Sequence, residues 1–319
     1  MNDAVPIVKV QGRGVLTLPL LRLRWAHVTT GVGARVPAPF LFVAGALSMY
    51  VGAALAVGLF DRVSASAVAV LRVIGAALVL LAWRRPGRSA WRGGRLGRAV
   101  AFGLATALMN IAFYEAIARL PLGTAVAIEF CGPVAVAAVA SRRPRDVAAV
   151  VLAALGVLLI ADVRWSGSPS GVVWALAAAA MWAAYIVLGK RVASAGNGLD
   201  EMAVGFAVAA VLLSPLLLVG GLSSTAALAD PAVLMIGVGL GVLSSVVPYV
   251  LDQIVLRRVG QARFAVLLAL LPATATVVGL VALAQVPSFG EAVGIAGVVA
   301  AVALRSRDGD GPAPMGRTG

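Results

Sequence analysis

Four charged side chains lie inside long apolar stretches of this sequence, where charges are rare. Arg72 lies near the middle of the second stretch, Glu115 near the end of the third, and Glu129 and Asp252 within the fourth and eighth. Ionisable groups in such segments usually face a polar cavity or an opposite charge, because burying them alone is costly. A guanidinium binds carboxylates through its planar fork, and a carboxylate binds ammonium groups or protons. These residues therefore predict a polar chamber within an apolar molecule.

Glu129 carries the sharpest chemical signal, because Pro133 follows it four residues later. Proline has no N–H, so the Glu129 carbonyl loses its helical partner and becomes a free acceptor beside a carboxylate. In lipid such a group must be satisfied by neighbours, water or a ligand. The pair would suit an ammonium group. The alternative is that Pro133 only kinks the helix and that Glu129 pairs with Arg72.

Arg72 and Glu115 each allow two interpretations. Arg72 either binds a substrate carboxylate or serves as the counter-ion of Glu115 or Glu129. Glu115 either contributes to the site or only extends toward the membrane surface. Asn110 and Tyr114 are four residues apart, so they share one face of a helix and are candidate binding residues.

The eighth apolar stretch holds a second group of candidates. Pro248 predicts a helix break, and Tyr249 directly after it is a candidate binding residue. Asp252 lies near Arg257 and the predicted inner boundary. A surface ion pair between these two is the favoured interpretation, and a place for Asp252 in the site is the alternative.

Apolar stretches run almost end to end and must position these residues. Of 319 residues, 61% are hydrophobic and 12% are charged, with a mean hydropathy of +1.00. A helix that crosses a bilayer needs about 20 apolar residues, so the chain has room for about ten. We therefore predict an all-α integral membrane protein with ten transmembrane helices. The predicted spans are 39–59, 63–83, 98–119, 122–141, 146–163, 170–189, 202–220, 231–256, 262–284 and 289–304.

Basic residues are distributed unequally between the two sides of these spans. Of the 26 Lys and Arg residues, 22 fall on one side, three on the other, and Arg72 lies within a span. Positive loops face the cytoplasm, so both chain ends are predicted there. The same rule explains the net charge of +13 without nucleic acid as a partner, and the predicted surroundings are the lipid bilayer.

The scarcity of cysteine and histidine restricts the chemistry further. Cys131 and His27 are the only residues of their types, which excludes an internal disulfide and metal sites built on Cys/His clusters. Ser–His and Cys–His catalysis are excluded for the same reason, since His27 lies in the N-terminal tail. We expect no cofactor, no metal and no enzymatic activity.

An internal repeat divides the predicted spans into two halves. Residues 110–134 align with 249–273, so that the hairpin at 120–123 falls on 259–262 and Pro133 falls on Pro272. Each half holds five spans, and because five is odd, the second half must enter the membrane in the opposite sense. The predicted domains are a basic cytoplasmic tail at 1–37, five-helix repeats at 38–164 and 165–304, and a cytoplasmic tail at 305–319.

Several motifs together carry a family resemblance. They are Leu71-Arg72, Asn110 with Phe113 and Tyr114, the run from Pro121 to Phe130, Gly132-Pro133, and Ser141-Arg142-Arg143-Pro144. With them the sequence, over about residues 40–304, resembles the threonine and homoserine exporter branch of the EamA transporters, within the drug/metabolite transporter superfamily. The resemblance implies two inverted five-helix halves around a central cavity. It departs at Ala284-Gln285, where relatives commonly carry Gly-Glu.

The resemblance implies a proton-coupled exporter of small metabolites in the bacterial inner membrane, above all of neutral amino acids such as threonine or homoserine. Alternating access would move the substrate, with helix breaks at Pro133, Pro248 and Pro272 as gating elements. Glu129 would hold the ammonium group or exchange a proton, and Arg72 would hold the carboxylate or tune Glu129. The alternative is an exporter of lipophilic amines or drugs, which would need a cavity dominated by aromatic side chains. Only 6% of the residues are aromatic, which disfavours it.

Overall fold

The structure, a computed structural model, describes residues 36–140, 144–165, 168–194, 198–218, 226–268 and 270–306. The predicted tails therefore lie almost entirely outside the described residues. A π-helical turn covers Val242–Val246. The α-helices are α1 (Ala38–Val57), α2 (Ala65–Arg84), α3 (Gly93–Ile117), α4 (Leu122–Glu129), α5 (Cys131–Ala140), α6 (Pro144–Trp165), α7 (Pro169–Ser194), α8 (Gly198–Leu213), α9 (Pro231–Gly241), α10 (Val247–Leu268), α11 (Leu270–Leu283) and α12 (Phe289–Ser306).

The described part of the chain contains six helical segments that are long and apolar enough to cross a membrane. They are Ala38–Val57, Ala65–Arg84, Gly93–Ile117, Pro169–Gly189, Leu199–Leu218 and Pro231–Asp252. Shorter apolar helical segments lie where the sequence predicts the remaining spans: Leu122–Val136, Val147–Leu159, Leu270–Leu283 and Phe289–Leu304. The prediction of an all-α membrane protein is confirmed.

Helix starts follow local capping rules. α2 begins after Ser64, whose Oγ accepts a hydrogen bond from the Ala67 N–H at 3.3 Å. α9 begins after Asp230, whose carboxylate accepts from the Ala232 N–H at 2.8 Å, with Pro231 at the first helical position. Both side chains replace bonds that the first N–H groups of a helix cannot make within the helix.

Two of the three prolines predicted to break a helix, Pro133 and Pro248, follow an interruption by less than a turn. α4 ends at Glu129 and α5 begins at Cys131, shortly before Pro133. The π turn directly precedes α10, which contains Pro248. The third, Pro272, lies in the first turn of α11, which begins at Leu270. A proline cannot donate to the carbonyl four residues earlier, which loosens the helix at that point.

The turn predicted at 259–262, between the eighth and ninth spans, is wrong. α10 is continuous from Val247 to Leu268, whereas a short connection at 118–121 joins α3 to α4, as predicted. Pro121 ends the helix at that connection, whereas its counterpart in the repeat, Gly260, does not interrupt α10. Glycine in a helix interior costs about 1 kcal/mol relative to alanine, against about 3 kcal/mol for proline. The helix therefore continues past the predicted turn as far as Leu268.

The helices pack in a reciprocal pattern. α3 packs against α7 and α8, while the segment from α9 to α10 packs against α1 and α2. α6 packs along α12. One main apolar core joins nearly all helices, and a smaller one lies between α2, α3 and α8. This packing brings the helices that carry the candidate residues into one interior.

Candidate functional site

Arg72 is buried at the centre of the helical interior. Its side chain projects from α2 and is 7% exposed. Arg72 Nη2 donates a hydrogen bond to the Ser244 carbonyl at 2.7 Å, and Arg72 Nε donates to Ser245 Oγ at 3.2 Å. Both acceptors belong to the π turn between α9 and α10, so two distant parts of the chain meet at this guanidinium.

The π turn follows from the position of Pro248. In a regular α-helix the Ser244 carbonyl would accept from the N–H of residue 248, which proline lacks. The Val247 N–H instead bonds the Val242 carbonyl five residues earlier. The Ser244 carbonyl is thereby left for a partner outside the helix, and Arg72 supplies it.

Tyr114 lies against the other side of the same guanidinium. The Arg72 Cζ atom is 5.4 Å from the centre of the Tyr114 ring, a cation–π distance. Tyr114 is fully buried, and its hydroxyl has no hydrogen-bond partner among the residues that the structure describes. A buried hydroxyl without a partner loses its hydrogen bonds to water, which makes it a candidate contact for a ligand.

Glu129 is the last residue of α4 and is also buried, at 8% exposure. Its carboxylate lies within electrostatic range of Arg72. Within the described ranges, however, the two side chains form no direct ion pair: Arg72 donates to Ser244 and Ser245 instead. A guanidinium and a carboxyl group therefore share one interior without direct contact.

A group of tyrosines connects this pair to Asp252. Tyr50 on α1 is buried and lies within electrostatic range of both Glu129 and Asp252. Tyr185 on α7 lies within range of Tyr249 and Asp252, and its ring centre is 5.0 Å from that of Phe102. Asp252 is half-buried, which supports the interior alternative over a surface pair. The side chain of Arg257 lies outside the described residues.

Sequence reasoning missed Tyr50 and the two serines of the π turn. A single tyrosine in an apolar helix gives no local signal of its surroundings, and serines are common in membrane helices. One signal was available. The chain has four tyrosines, and all four, including Tyr114 and Tyr249, lie within predicted spans. All four now lie around Arg72, Glu129 and Asp252.

Glu115 and Asn110 have local partners instead. The Glu115 carboxylate accepts a short hydrogen bond from Ser66 Oγ and pairs with Arg119 at 2.6 Å. Asn110 is buried, and its side-chain amide donates to the Thr106 carbonyl of its own helix at 2.9 Å. These contacts support a structural role for Glu115 near the end of α3.

Ion pairs hold α8 at the end of the bundle that we call the basic end, defined by Arg84, Arg95 and Arg98. Arg84 pairs with Asp200 at 3.0 Å. Arg98 and Arg95 pair with the fully buried Glu201 at 3.2 and 3.5 Å. Through these pairs, α2 and α3 are both tied to the start of α8.

The other end, which we call the opposite end, is held by different contacts. Arg62 pairs with Asp230 at 2.7 Å. The hydrogen bond from Arg62, with a second from the Ala232 N–H, holds the pKa of Asp230 below its usual value. Asp230 therefore stays charged in mildly acidic solution, and its exposed ion pair with Arg62 persists there.

Glu291 joins α4 to α12 at the opposite end. Its carboxylate accepts from Thr124 Oγ1 at 2.8 Å and from the Ser288 N–H at 3.0 Å, while the Glu291 N–H donates to Ser288 Oγ at 3.3 Å. The last two bonds form a capping box at the start of α12. The Leu122 N–H donates to Gln285 Oε1 at 2.8 Å, which adds a second link.

Comparison with known proteins places this architecture in a transporter family. The model of the EamA-like transporter family matches residues 169–307. The threonine/homoserine exporter RhtA of Salmonella typhimurium (strain SL1344) is 36% identical over 257 residues, which are 80% of this chain and 86% of that protein. The RhtA of Escherichia coli (strain K12) is 37% identical over 253 residues, 78% of this chain and 84% of that one.

A solved crystal structure has a similar fold. It superposes with a TM-score of 0.57 at 20% identity, covering 84% of this chain and 96% of the other. The identity to the two exporters extends over both halves of the sequence, and the helices supply the membrane architecture that such proteins require. This chain is therefore a multi-pass membrane transporter, not an enzyme, and belongs to the EamA-like transporter family.

Proposed function

We propose that this protein exports small neutral amino acids that carry a hydroxyl group, such as threonine and homoserine, across the bacterial inner membrane. The two similar exporters carry these substrates in their names and align with about four fifths of the chain. A zwitterionic substrate needs one cation and one anion in its site. Arg72 and Glu129 satisfy that need.

The observation that carries the proposal is the burial of these two opposite charges without a direct ion pair. Both side chains are less than a tenth exposed, and burying a charge without compensation is costly. A bound amino acid would complete both partners: its carboxylate would meet the Arg72 fork, and its ammonium group would meet the Glu129 carboxylate. A lipophilic amine would satisfy only Glu129.

Alternating access is proposed as the mechanism, with two inverted five-helix halves at 38–164 and 165–304. The reciprocal packing of α3 on α7 and α8, and of α9 and α10 on α1 and α2, supports this arrangement. The family match at 169–307 coincides closely with the second half. Transporters of this plan place the substrate between the halves near the middle of the membrane, where Arg72 and Glu129 would meet it.

Proton coupling and orientation are parts of the same proposal. Export against a gradient requires an energy source, such as a proton gradient. Glu129, which is buried, and Asp252, which is half-buried, both lie within electrostatic range of Tyr50. Exchange of a proton for the substrate ammonium group at Glu129 would couple the two movements. The excess of Arg and Lys on one side supports cytoplasmic chain ends.

Counterflow in proteoliposomes tests the proposed substrate. Vesicles preloaded with unlabelled threonine should take up labelled threonine and homoserine, and vesicles without the protein should not. Valine, which has the shape of threonine without the hydroxyl, serves as the matched comparison. Uptake of cationic dyes without uptake of any amino acid would replace this proposal with the amine alternative.

A further inference from the structure

We propose that Ser245, together with the Ser244 carbonyl, forms a socket that positions Arg72 for the substrate carboxylate. The inference rests on the proposed function and assigns a positioning role to residues outside the predicted site.

The free carbonyl originates from Pro248. Proline has no N–H to donate to Ser244, four residues earlier, and the helix responds with a π turn at Val242–Val246. In an apolar interior a free carbonyl must find another donor. Arg72 Nη2 occupies this acceptor at 2.7 Å, a length typical of a charge-assisted bond.

The two bonds together fix the plane of the guanidinium. Nη2 is bonded to the Ser244 carbonyl and Nε to Ser245 Oγ at 3.2 Å. The Tyr114 ring, with its centre 5.4 Å from Arg72 Cζ, restricts movement out of that plane. A planar fork held at two nitrogens and against one ring can turn little, so its remaining edge has a defined direction.

The turn that carries the socket is itself held by α1. Ser48 Oγ donates to the Leu243 carbonyl at 2.8 Å, and Ser244 Oγ donates to the Met49 carbonyl at 3.1 Å. Gly52 permits this approach, because a Cβ atom there would stand 2.1 Å from Ser244 Oγ. The acceptors of Arg72 are therefore rigid.

One edge of the fork remains open. Among the described residues no acceptor is bonded to Arg72 Nη1, although the side chain is 7% exposed. One N–H of Nη1 and the second N–H of Nη2 point in parallel along this edge, and together they match the two oxygens of a carboxylate. Positioning by the socket would thus prepare Arg72 for an anionic group and reduce the entropy lost on binding.

Ser245→Ala tests the socket by removing one of the two acceptors. We expect the KM for threonine in proteoliposomes to rise about tenfold, the effect of one lost charge-assisted hydrogen bond. The maximal rate should stay within about twofold, because Arg72 itself is retained. Ser245→Thr keeps the hydroxyl and should restore the KM.

Ser48→Ala is the matched control, because Ser48 bonds the same π turn without touching Arg72. The substitution loosens the turn but leaves both acceptors of Arg72 in place, so its KM should rise less than that of Ser245→Ala. A second variant, Pro248→Ala, returns an N–H that competes with Arg72 for the Ser244 carbonyl. We expect it to raise the KM without lowering the unfolding temperature, since proline disfavours a helix interior.

The outcomes separate the two proposals. Wild-type protein that transports no amino acid overturns the proposed function and the socket with it. Wild-type transport with an unchanged KM in Ser245→Ala overturns the socket alone. An equal rise in Ser48→Ala and Ser245→Ala would also overturn it, because general disturbance of the turn would then explain both.

Discussion

At the residue scale, the informative feature is that Arg72 and Glu129 are buried together and, within the described ranges, form no direct ion pair. A sequence can reveal charges within apolar spans because each is costly in lipid. It cannot reveal their partners, since Ser245 is 173 residues away from Arg72 in the chain. In the structure Arg72 makes a bidentate contact with the π turn and lies within electrostatic range of Glu129.

Glu129→Gln should abolish gradient-driven export while the protein remains in the membrane. Glutamine keeps the size of the side chain but can neither form an ion pair with an ammonium group nor exchange a proton. Export of labelled threonine from proteoliposomes with an imposed pH gradient measures the effect. Asp61→Asn removes a carboxylate from an exposed turn and is the control. Wild-type export by the glutamine variant would exclude Glu129 from the mechanism.

Tyr114→Phe should reduce the preference for threonine over valine by about tenfold. The Tyr114 hydroxyl is buried and has no partner in the described part of the chain. A site that bonds a substrate hydroxyl discriminates strongly against an analogue without one. Competition of both amino acids for counterflow gives the ratio. The variant should unfold at or above the wild-type temperature, and an unchanged ratio would contradict the role.

At the element scale, the predictable features are those that depend on local sequence. Runs of apolar residues predict the helices because lipid leaves the backbone no other partner, and Pro121 predicts the turn between α3 and α4. Pro248 indicates from the sequence that the helix is disturbed near Val242–Val246. The contacts with α1 and α2 that hold the π turn come from distant parts of the chain, so the sequence does not show them. The turn predicted at 259–262 does not form, because that segment contains a glycine but no proline to end the helix.

The departure at Ala284-Gln285 also has a structural explanation. Ala284 follows α11 with φ of 52°, in the left-handed region that favours glycine. Gln285 closes the turn with its N–H on the Gly279 carbonyl at 3.0 Å, and its side-chain oxygen accepts from the Leu122 N–H as a carboxylate would. Gln285 thus keeps the hydrogen-bond acceptor that a glutamate would provide, whereas Ala284 adopts the left-handed conformation with backbone strain.

Ala284→Gly should therefore stabilise the protein by about 1 kcal/mol, the usual penalty of a side chain in this conformation. The same substitution at Ala282, exposed within α11, should destabilise it by about the same amount, because glycine disfavours a helix. Thermal unfolding in detergent compares the two variants. A lower unfolding temperature for Ala284→Gly would contradict the strain.

At the scale of the whole molecule, a close backbone contact joins α3 to α8. A Cβ atom on Gly103 would stand 2.2 Å from the backbone carbonyl of Gly205, and one on Gly205 would stand 2.2 Å from the Ala99 carbonyl oxygen. Small residues allow such approach in membranes, where close packing drives association. The sequence contains 36 glycines, and nothing in their local pattern shows which ones meet a partner.

Gly103→Ala should prevent stable folding, because two backbones would have to separate to admit one methyl group. Gly97→Ala lies on the same helix, where a Cβ atom would meet nothing within 4 Å. That variant should be neutral or more stable by up to about 1 kcal/mol. Size-exclusion profiles and unfolding temperatures distinguish them, and equal behaviour of both would contradict the contact.

The α3–α8 seam has a consequence for how the transporter works. These helices come from different proposed halves, yet their backbones meet directly at Gly103 and Gly205, with no side chain between them over which they could slide. Beside this contact, Glu201 forms ion pairs with Arg95 and Arg98. We expect α3 and α8 to keep the same relative position through the transport cycle. The segments that move would then be those around the helix break between α4 and α5 and around the π turn, rather than two rigid halves that swing apart.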